Sequence, residues 1–364
     1  MTQVNTAHSE SGFVLPYVLL VVAILAIAGT IAAQRLQSAS AIVTDIGDRL
    51  AAERQLQSAE AAATYSILTA NALRGGHDIS PDSPTVWEFG YLSADGRRPL
   101  SEDEASALVP DIWLAQGSLR KYQSTPDMRP TIVSYRDATG LVSLNLPSPR
   151  FIEPVLLASG ASRAQARSAV STLLDYTDLD ITRRQQGAES FDYRTRDMPA
   201  PTNSPLRSYS ELGNIMGWSE LLTEIDMTRL KDMTTLQITN GYKQGFAPRA
   251  LQEVMSFDSD SLLESRRLDA LQEIERRSLQ PSKSSRFVIW APRADGRYQK
   301  RVVDIERFAG GVGAPYRRHW VYDSTVLEND IISAAPDTQT GNSSGSGLNF
   351  EELDNVVHAP SLRP

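Results

Sequence analysis

The sharpest feature of the hydropathy pattern lies near the start of the chain, where every residue from Phe13 to Ala33 is uncharged and most are apolar. A helix of that length crosses a hydrocarbon core of about 30 Å, and a helix in a soluble core rarely stays apolar on all faces for so long. Beyond Arg35 the apolar positions thin to a stripe. Leu36, Ala39, Val43, Ile46 and Leu50 recur at three- and four-residue steps, and Leu56, Ala59, Ala63 and Ile67 continue them after a slip. That spacing is one face of a helix, with Asp45, Asp48, Arg49, Glu53 and Arg54 mostly off it. Gly75-Gly76 predicts its end. An alanine-rich stripe suits close packing on a globular body better than a coiled-coil seam.

The pattern then changes period three times. Residues 77–146 carry strand signals, clearest in "TIVSYRDATGLVSLNL" (Thr131–Leu146), two β-rich runs about a loop ending in Gly140. Residues 147–282 turn helical, with two capping-box patterns, Ser162–Gln165 and Ser208–Glu211. Strands return over 283–323, including an Asp295-Gly296 turn. Residues 324–364 contain "PDTQTGNSSGSG" and read as a flexible tail. The expected class is α+β: a long N-terminal transmembrane and amphipathic helix (13–33 and 34–76), then a β domain interrupted by an inserted all-α domain.

Composition removes several function classes. The 364 residues include no cysteine, so disulfides, thiolate metal sites and cysteine nucleophiles are excluded. The net charge of −8 and the lack of a basic stripe speak against nucleic-acid binding. The segments around "GASRAQARSAV" and "GWSELLTEIDM" have a helix-hairpin-helix or SAM-like look, but Glu220 and Glu224 stand where a phosphate would sit. No paired acid and base marks an enzyme, and the Gly-x-Ser-x-Gly spacing at Gly341–Gly345 falls in the Ser/Gly-rich tail rather than between a strand and a helix as in a nucleophile elbow. The densest chemistry is an acidic loop. Asp175, Asp178, Asp180 and Glu189 offer the hard oxygen ligands that calcium takes. Counting Asp178 as position one, Asp180 is three, Thr182 five and Glu189 twelve, as in an EF-hand loop, although Arg183 occupies the glycine position. Either a cation neutralises these carboxylates, or Arg183, Arg184 and Arg194 do.

The N-terminal run admits three readings: a signal peptide cut near Ala26-Ile27-Ala28, a plain anchor, or a prepilin. A signal peptide wants a basic segment before its apolar run, and residues 1–12 contain no lysine or arginine. Gly12 directly before Phe13 resembles the prepilin pattern, in which a peptidase cuts after a glycine and the apolar helix becomes the new N-terminus. Pro16 is tolerated in a first helical turn.

Three stretches of the body resemble the minor pseudopilin K of type II secretion systems. They are "SLNLPSP" (Ser143–Pro149), "LLDYTDLDITRRQQGAESFDY" (Leu173–Tyr193) and "SPLRSYSELGNIMGW" (Ser204–Trp218). A weaker echo is "GFAPRALQEVM" (Gly245–Met255). The resemblance implies a pilin-like β domain around the helical insertion, a leader over 1–12 cut between Gly12 and Phe13, and N-methylation there. It also implies a single-pass inner-membrane protein with a periplasmic head. Its partners would be the I, J and H minor pseudopilins, the major pseudopilin and the prepilin peptidase, and calcium would bind Asp175, Asp178, Asp180 and Glu189. On this reading it sits at the pseudopilus tip and nucleates the filament; the alternative is an anchored periplasmic ligand-binding or sensor module. Tyr17 stands where most pilins carry glutamate, as is typical of the K subunit. A tip subunit has no neighbour above it whose buried amine needs a carboxylate.

Overall fold

The computed structural model describes residues 14–73, 75–79, 85–87, 90–92, 112–123, 128–146, 148–239, 241–256, 281–308, 314–334 and 356–357. Gly12, Phe13 and the expected leader lie outside them. The chain divides into two compact units, Met1–Glu53 and Arg54–Pro364.

Helix α1 (Val14–Thr69) contributes to both units. Its stretch from Pro16 is long and apolar enough to cross a membrane. Within the first unit the expected stripe is not covered: Leu36 is 72% exposed, Val43 69% and Leu50 50%. In the second unit Leu56, Ala59, Ala63 and Ile67 are fully buried. The same buried face carries Glu60, whose carboxylate accepts from Nη2 of Arg318 at 3.0 Å and lies 3.8 Å from Arg301. The helix ends at Thr69 rather than at the paired glycines. Those make a hairpin between β1 (Asn71–Leu73) and β2 (Gly76–Asp78). Gly75 takes a φ of 85°, and a Cβ on Gly76 would stand 2.2 Å from the Trp113 carbonyl. Both positions therefore require glycine.

Two short strands, β3 (Thr85–Trp87) and β4 (Gly90–Leu92), pair with each other, and β5 (Ile112–Leu114) pairs with β2. The main sheet holds β6 (Gln116–Tyr122) and β7 (Thr131–Asp137) together with β10 (Ser284–Pro292), β11 (Tyr298–Arg307) and β12 (Tyr316–Val326), strands that flank the helical stretch in sequence. Their order is β12-β11-β10-β7-β6, with β13 (Val356–Val357) beyond β6, and β10 pairs antiparallel with β7, Phe287 opposite Tyr135. Strands from both sides of the helical stretch thus lie side by side. The Asp295-Gly296 turn forms as expected, with Gly296 at a φ of 80°.

The "TIVSYRDATGLVSLNL" run divides between two sheets. Asp137 accepts from the Thr139 amide at 2.8 Å and its hydroxyl at 2.5 Å, fixing a buried turn at Ala138–Gly140. The chain then leaves β7 and forms β8 (Val142–Ser143), which pairs parallel with β9 (Thr234–Thr235). Between them run α2 (Pro149–Ala158), α3 (Arg163–Thr177), α4 (Ser190–Thr195), α5 (Trp218–Glu224) and α6 (Met227–Met233), and α7 (Arg249–Ser256) follows. The Ser162–Gln165 capping box forms with both reciprocal bonds. The Ser208–Glu211 box does not: Ser208 contacts the Ser210 hydroxyl, Glu211 accepts from the Arg207 amide, and a 3-10 turn follows.

The helical stretch is not a separate body. Leu173, Tyr176, Trp218 and Leu230 share one core with Val302, Val321 and Tyr322 of the sheet. Asn145 ties the stretch together, donating to the Leu206 and Leu236 carbonyls and accepting from the Leu206 amide at 2.6 Å. The expected flexible tail also starts too early. β12 runs on to Val326, α8 (Glu328–Ala334) follows, and β13 (Val356–Val357) pairs parallel with β6.

Candidate cation site in the acidic loop

The acidic loop is the stretch from Asp178, at the C-terminal end of α3, to Glu189, which precedes α4. Its two ends are anchored. The Asp178 amide donates to the Leu174 carbonyl at 3.0 Å, and buried Tyr193 accepts from the Met216 amide through its hydroxyl at 3.0 Å. Between these anchors Asp178, Asp180 and Glu189 converge, each offering a carboxylate oxygen within 4.8 Å of the others. Two oxygens each about 2.4 Å from one ion can stand about 5 Å apart, so the spacing suits one calcium ion.

Asp175 belongs to the same neighbourhood but plays another part. It is fully buried and accepts from Nη1 of Arg184 at 2.6 Å and from the Arg184 amide at 3.1 Å. The same Nη1 reaches Oδ2 of Asp178 at 2.5 Å. Gly187 makes room for this arrangement: a Cβ there would stand 2.0 Å from Oδ2 of Asp175. Arg183 turns away, donating to the Gly187 carbonyl and pairing with Asp192 at 3.2 Å. So Asp175 is a brace for Arg184, while Asp178, Asp180 and Glu189 are the candidate ligands.

Charge within the loop is only partly balanced. Glu189 is 6% exposed, and its carboxylate meets no side-chain donor among the described residues, only backbone amides at the start of α4; Oδ1 of Asp178 is also buried and has no partner among them. An unpaired buried carboxylate is costly. Accordingly the Glu189 carboxyl is pushed up from its ordinary value, first by burial and then by the nearby charges of Asp175 and Asp178. Asp180 goes the other way, held down by the Thr182 amide that donates to it at 2.7 Å. The two hydrogen bonds to Asp175 and Asp178 hold the Arg184 proton more firmly. Asp175 and Asp178 also sit at the negative end of the α3 dipole, which favours cations there. A hard divalent cation fits this donor set: all-oxygen ligands, excess negative charge, and a buried Asp178 oxygen with no donor among the described residues.

Residues 144–244 match the family model described as type II secretion system (T2SS), protein K. A chain of the crystal structure of the GspK-GspI-GspJ complex from the enterotoxigenic Escherichia coli type 2 secretion system is similar at 16% identity, with a TM-score of 0.35. That likeness covers 57% of this chain and 83% of that one. No curated protein sequence matches the chain. The segment that holds the acidic loop, α2 to α6 and β9 is therefore similar to a component of the type II secretion machinery. Within that machinery the component it resembles is protein K, as the loop and its flanks indicate. The weaker echo from Gly245 lies past the matched residues.

Sequence reasoning missed two features of this neighbourhood. It gave Asp175 the same role as the other three acids, although Asp175 lies three residues before Asp178, one helical turn back and still inside α3. It also overlooked Gly187, whose signal is its place just before Ala188-Glu189.

Proposed function

We propose that this chain is a minor pseudopilin of a type II protein secretion system, anchored in the inner membrane by the apolar part of α1. The observation that carries the reading is the match of residues 144–244 to the protein K family, over a segment containing the acidic loop. The uncovered apolar stripe on α1 agrees with it, since Leu36, Val43 and Leu50 are surface that assembly would cover. On this reading the head lies in the periplasm and meets the other minor pseudopilins. The helices between β8 and β9 enlarge the head, which suits a terminal position at the pseudopilus tip better than a repeated one. From there the subunit nucleates the filament that drives export. Its role is structural and its chemistry is binding.

We propose further that Asp178, Asp180 and Glu189 hold calcium. The ion supplies the positive charge that Glu189 lacks, and Arg184, braced by Asp175, orients Asp178 toward it. Because only the folded loop gathers the three ligands, calcium stabilises the fold by mass action.

Coexpression of the full chain with a prepilin peptidase, followed by mass spectrometry of its N-terminal peptide, tests the pseudopilin reading. The expected start is an N-methylated Phe13. An N-terminus at Met1, or near Gly29 or Gln34, contradicts pilin-type processing.

A further inference from the structure

The residues interleaved with the acidic triad are large and apolar. Leu179, between Asp178 and Asp180, is 87% exposed; Ile181 is 81% exposed, and Phe191, two residues after Glu189, is 72% exposed. Outside α1, this is where the described residues put their most exposed large hydrophobic side chains. They take no part in the loop's anchors at Asp178 and Tyr193 or in the Arg184–Asp175 brace. Exposed Arg183 follows Ile181 by two residues, and exposed Arg194 stands about one helical turn past Phe191 on α4.

We infer that this loop is a cation-dependent contact for an anionic phospholipid surface. The inference rests on the proposed calcium site. Exposed aliphatic and aromatic tips beside arginines are the composition of interfacial segments, which sink apolar side chains below the headgroups and leave their cations among the phosphates. A protein interface shares the aromatic and arginine content but is depleted of aspartate at its centre, whereas here Asp180 stands directly between Leu179 and Ile181. Without a cation the carboxylates repel anionic lipid. With one bound, the Glu189 charge would be offset, and calcium, which takes about six to eight oxygens, could draw phosphate oxygens in addition to those of Asp178, Asp180 and Glu189.

The test uses the full chain reconstituted in phosphatidylcholine vesicles, which then capture dye-labelled vesicles from solution. Protein-free vesicles give the baseline. Labelled vesicles containing phosphatidylglycerol should be captured with calcium. Capture should fall about tenfold with chelator, with phosphatidylcholine-only vesicles, or in the Leu179→Ser, Ile181→Ser, Phe191→Ser triple variant, which loses the apolar burial. The triple variant changes no carboxylate, so it should keep the calcium-dependent rise in melting temperature. If the wild type shows that rise but captures no vesicles, or captures them as well as the triple variant does, the lipid contact is overturned and the cation site stands. If calcium leaves wild-type melting unchanged, the cation site fails and the contact with it. A triple variant that keeps vesicle capture but loses coexpressed minor pseudopilins would make the surface a protein interface, and the lipid proposal would fall.

Discussion

Asp304 and Glu189 are both buried, 2% and 6% exposed, but their surroundings differ in kind. Asp304 lies on β11 directly opposite Arg286 of β10. It accepts from Arg286 Nε at 2.6 Å, from Arg286 Nη2 at 2.9 Å and from the Thr235 hydroxyl at 2.9 Å. The remaining Arg286 nitrogen, Nη1, donates to the Lys231 carbonyl at 2.7 Å. This bidentate pair ties the sheet to α6 and β9 and is complete within the chain. Glu189 has no such partner for either oxygen. One buried carboxylate is satisfied by an arginine of the protein, and the other is, on the proposed reading, completed by calcium. The difference separates a structural charge from a binding charge.

The largest effect should come from breaking the closed pair. Asp304→Ala leaves Arg286 buried without its counter-ion, which typically costs about 3–5 kcal/mol, and the loss should be the same with calcium or chelator. Replacing both members, Arg286→Met with Asp304→Leu, should restore much of that stability. Denaturant unfolding of the purified protein reads both; a calcium-dependent cost at this site would blur the distinction.

At the open site the sign should depend on the buffer. Glu189→Gln removes an unpaired buried charge, so in chelator the variant should be as stable as the wild type or more so. With calcium a hundredfold above its dissociation constant, the wild type should gain about 2.7 kcal/mol, and Glu189→Gln most of that less. Gly187→Ala drives a methyl into Asp175 and should cost about 1–3 kcal/mol while weakening calcium binding. Thermal melts in paired buffers decide both.

Smaller effects follow from protons. A carboxyl whose folded value is raised binds protons more tightly in the folded state, so without calcium Glu189 makes stability rise as pH falls through that raised value. With calcium the trend should reverse, because protons displace the ion. His77 supplies an opposite slope. It is fully buried, Arg307 Nη1 stands 2.8 Å from its Nε2, and burial together with that guanidinium lowers it to about 3. Its stabilising contribution is complete above the ordinary value of 6.5 and is lost as pH falls toward 3. His77→Gln should flatten that acid slope and leave the calcium response intact.

Much of this organisation is readable in the sequence, because period and spacing are local. The α1 stripe, the Ser162–Gln165 box, the Asp295-Gly296 turn and the spacing of Asp178, Asp180 and Glu189 are patterns within a few turns of chain. Even the Arg286–Asp304 pair can be counted back from that turn, once Pro292 is set opposite Tyr298. What covers a face is not local. The residues from Leu36 to Leu50 and from Leu56 to Ile67 share one pattern, yet the first set is exposed and the second buried. Arg184's choice of Asp175 and Asp178, with Arg183 taken by Asp192, depends on the path of the loop. Two valines pairing with β6 carry no period at all.

The account stands or falls on whether this chain assembles with its proposed partners. Isolating the full-length chain from cells that coexpress the I, J and H minor pseudopilins is the direct measurement. The account predicts that I- and J-type subunits come down with it in stoichiometric amounts, and that they are lost when Leu36, Val43 and Leu50 of the exposed stripe are changed to serine. A chain that melts cooperatively and yet brings down none of them would contradict it.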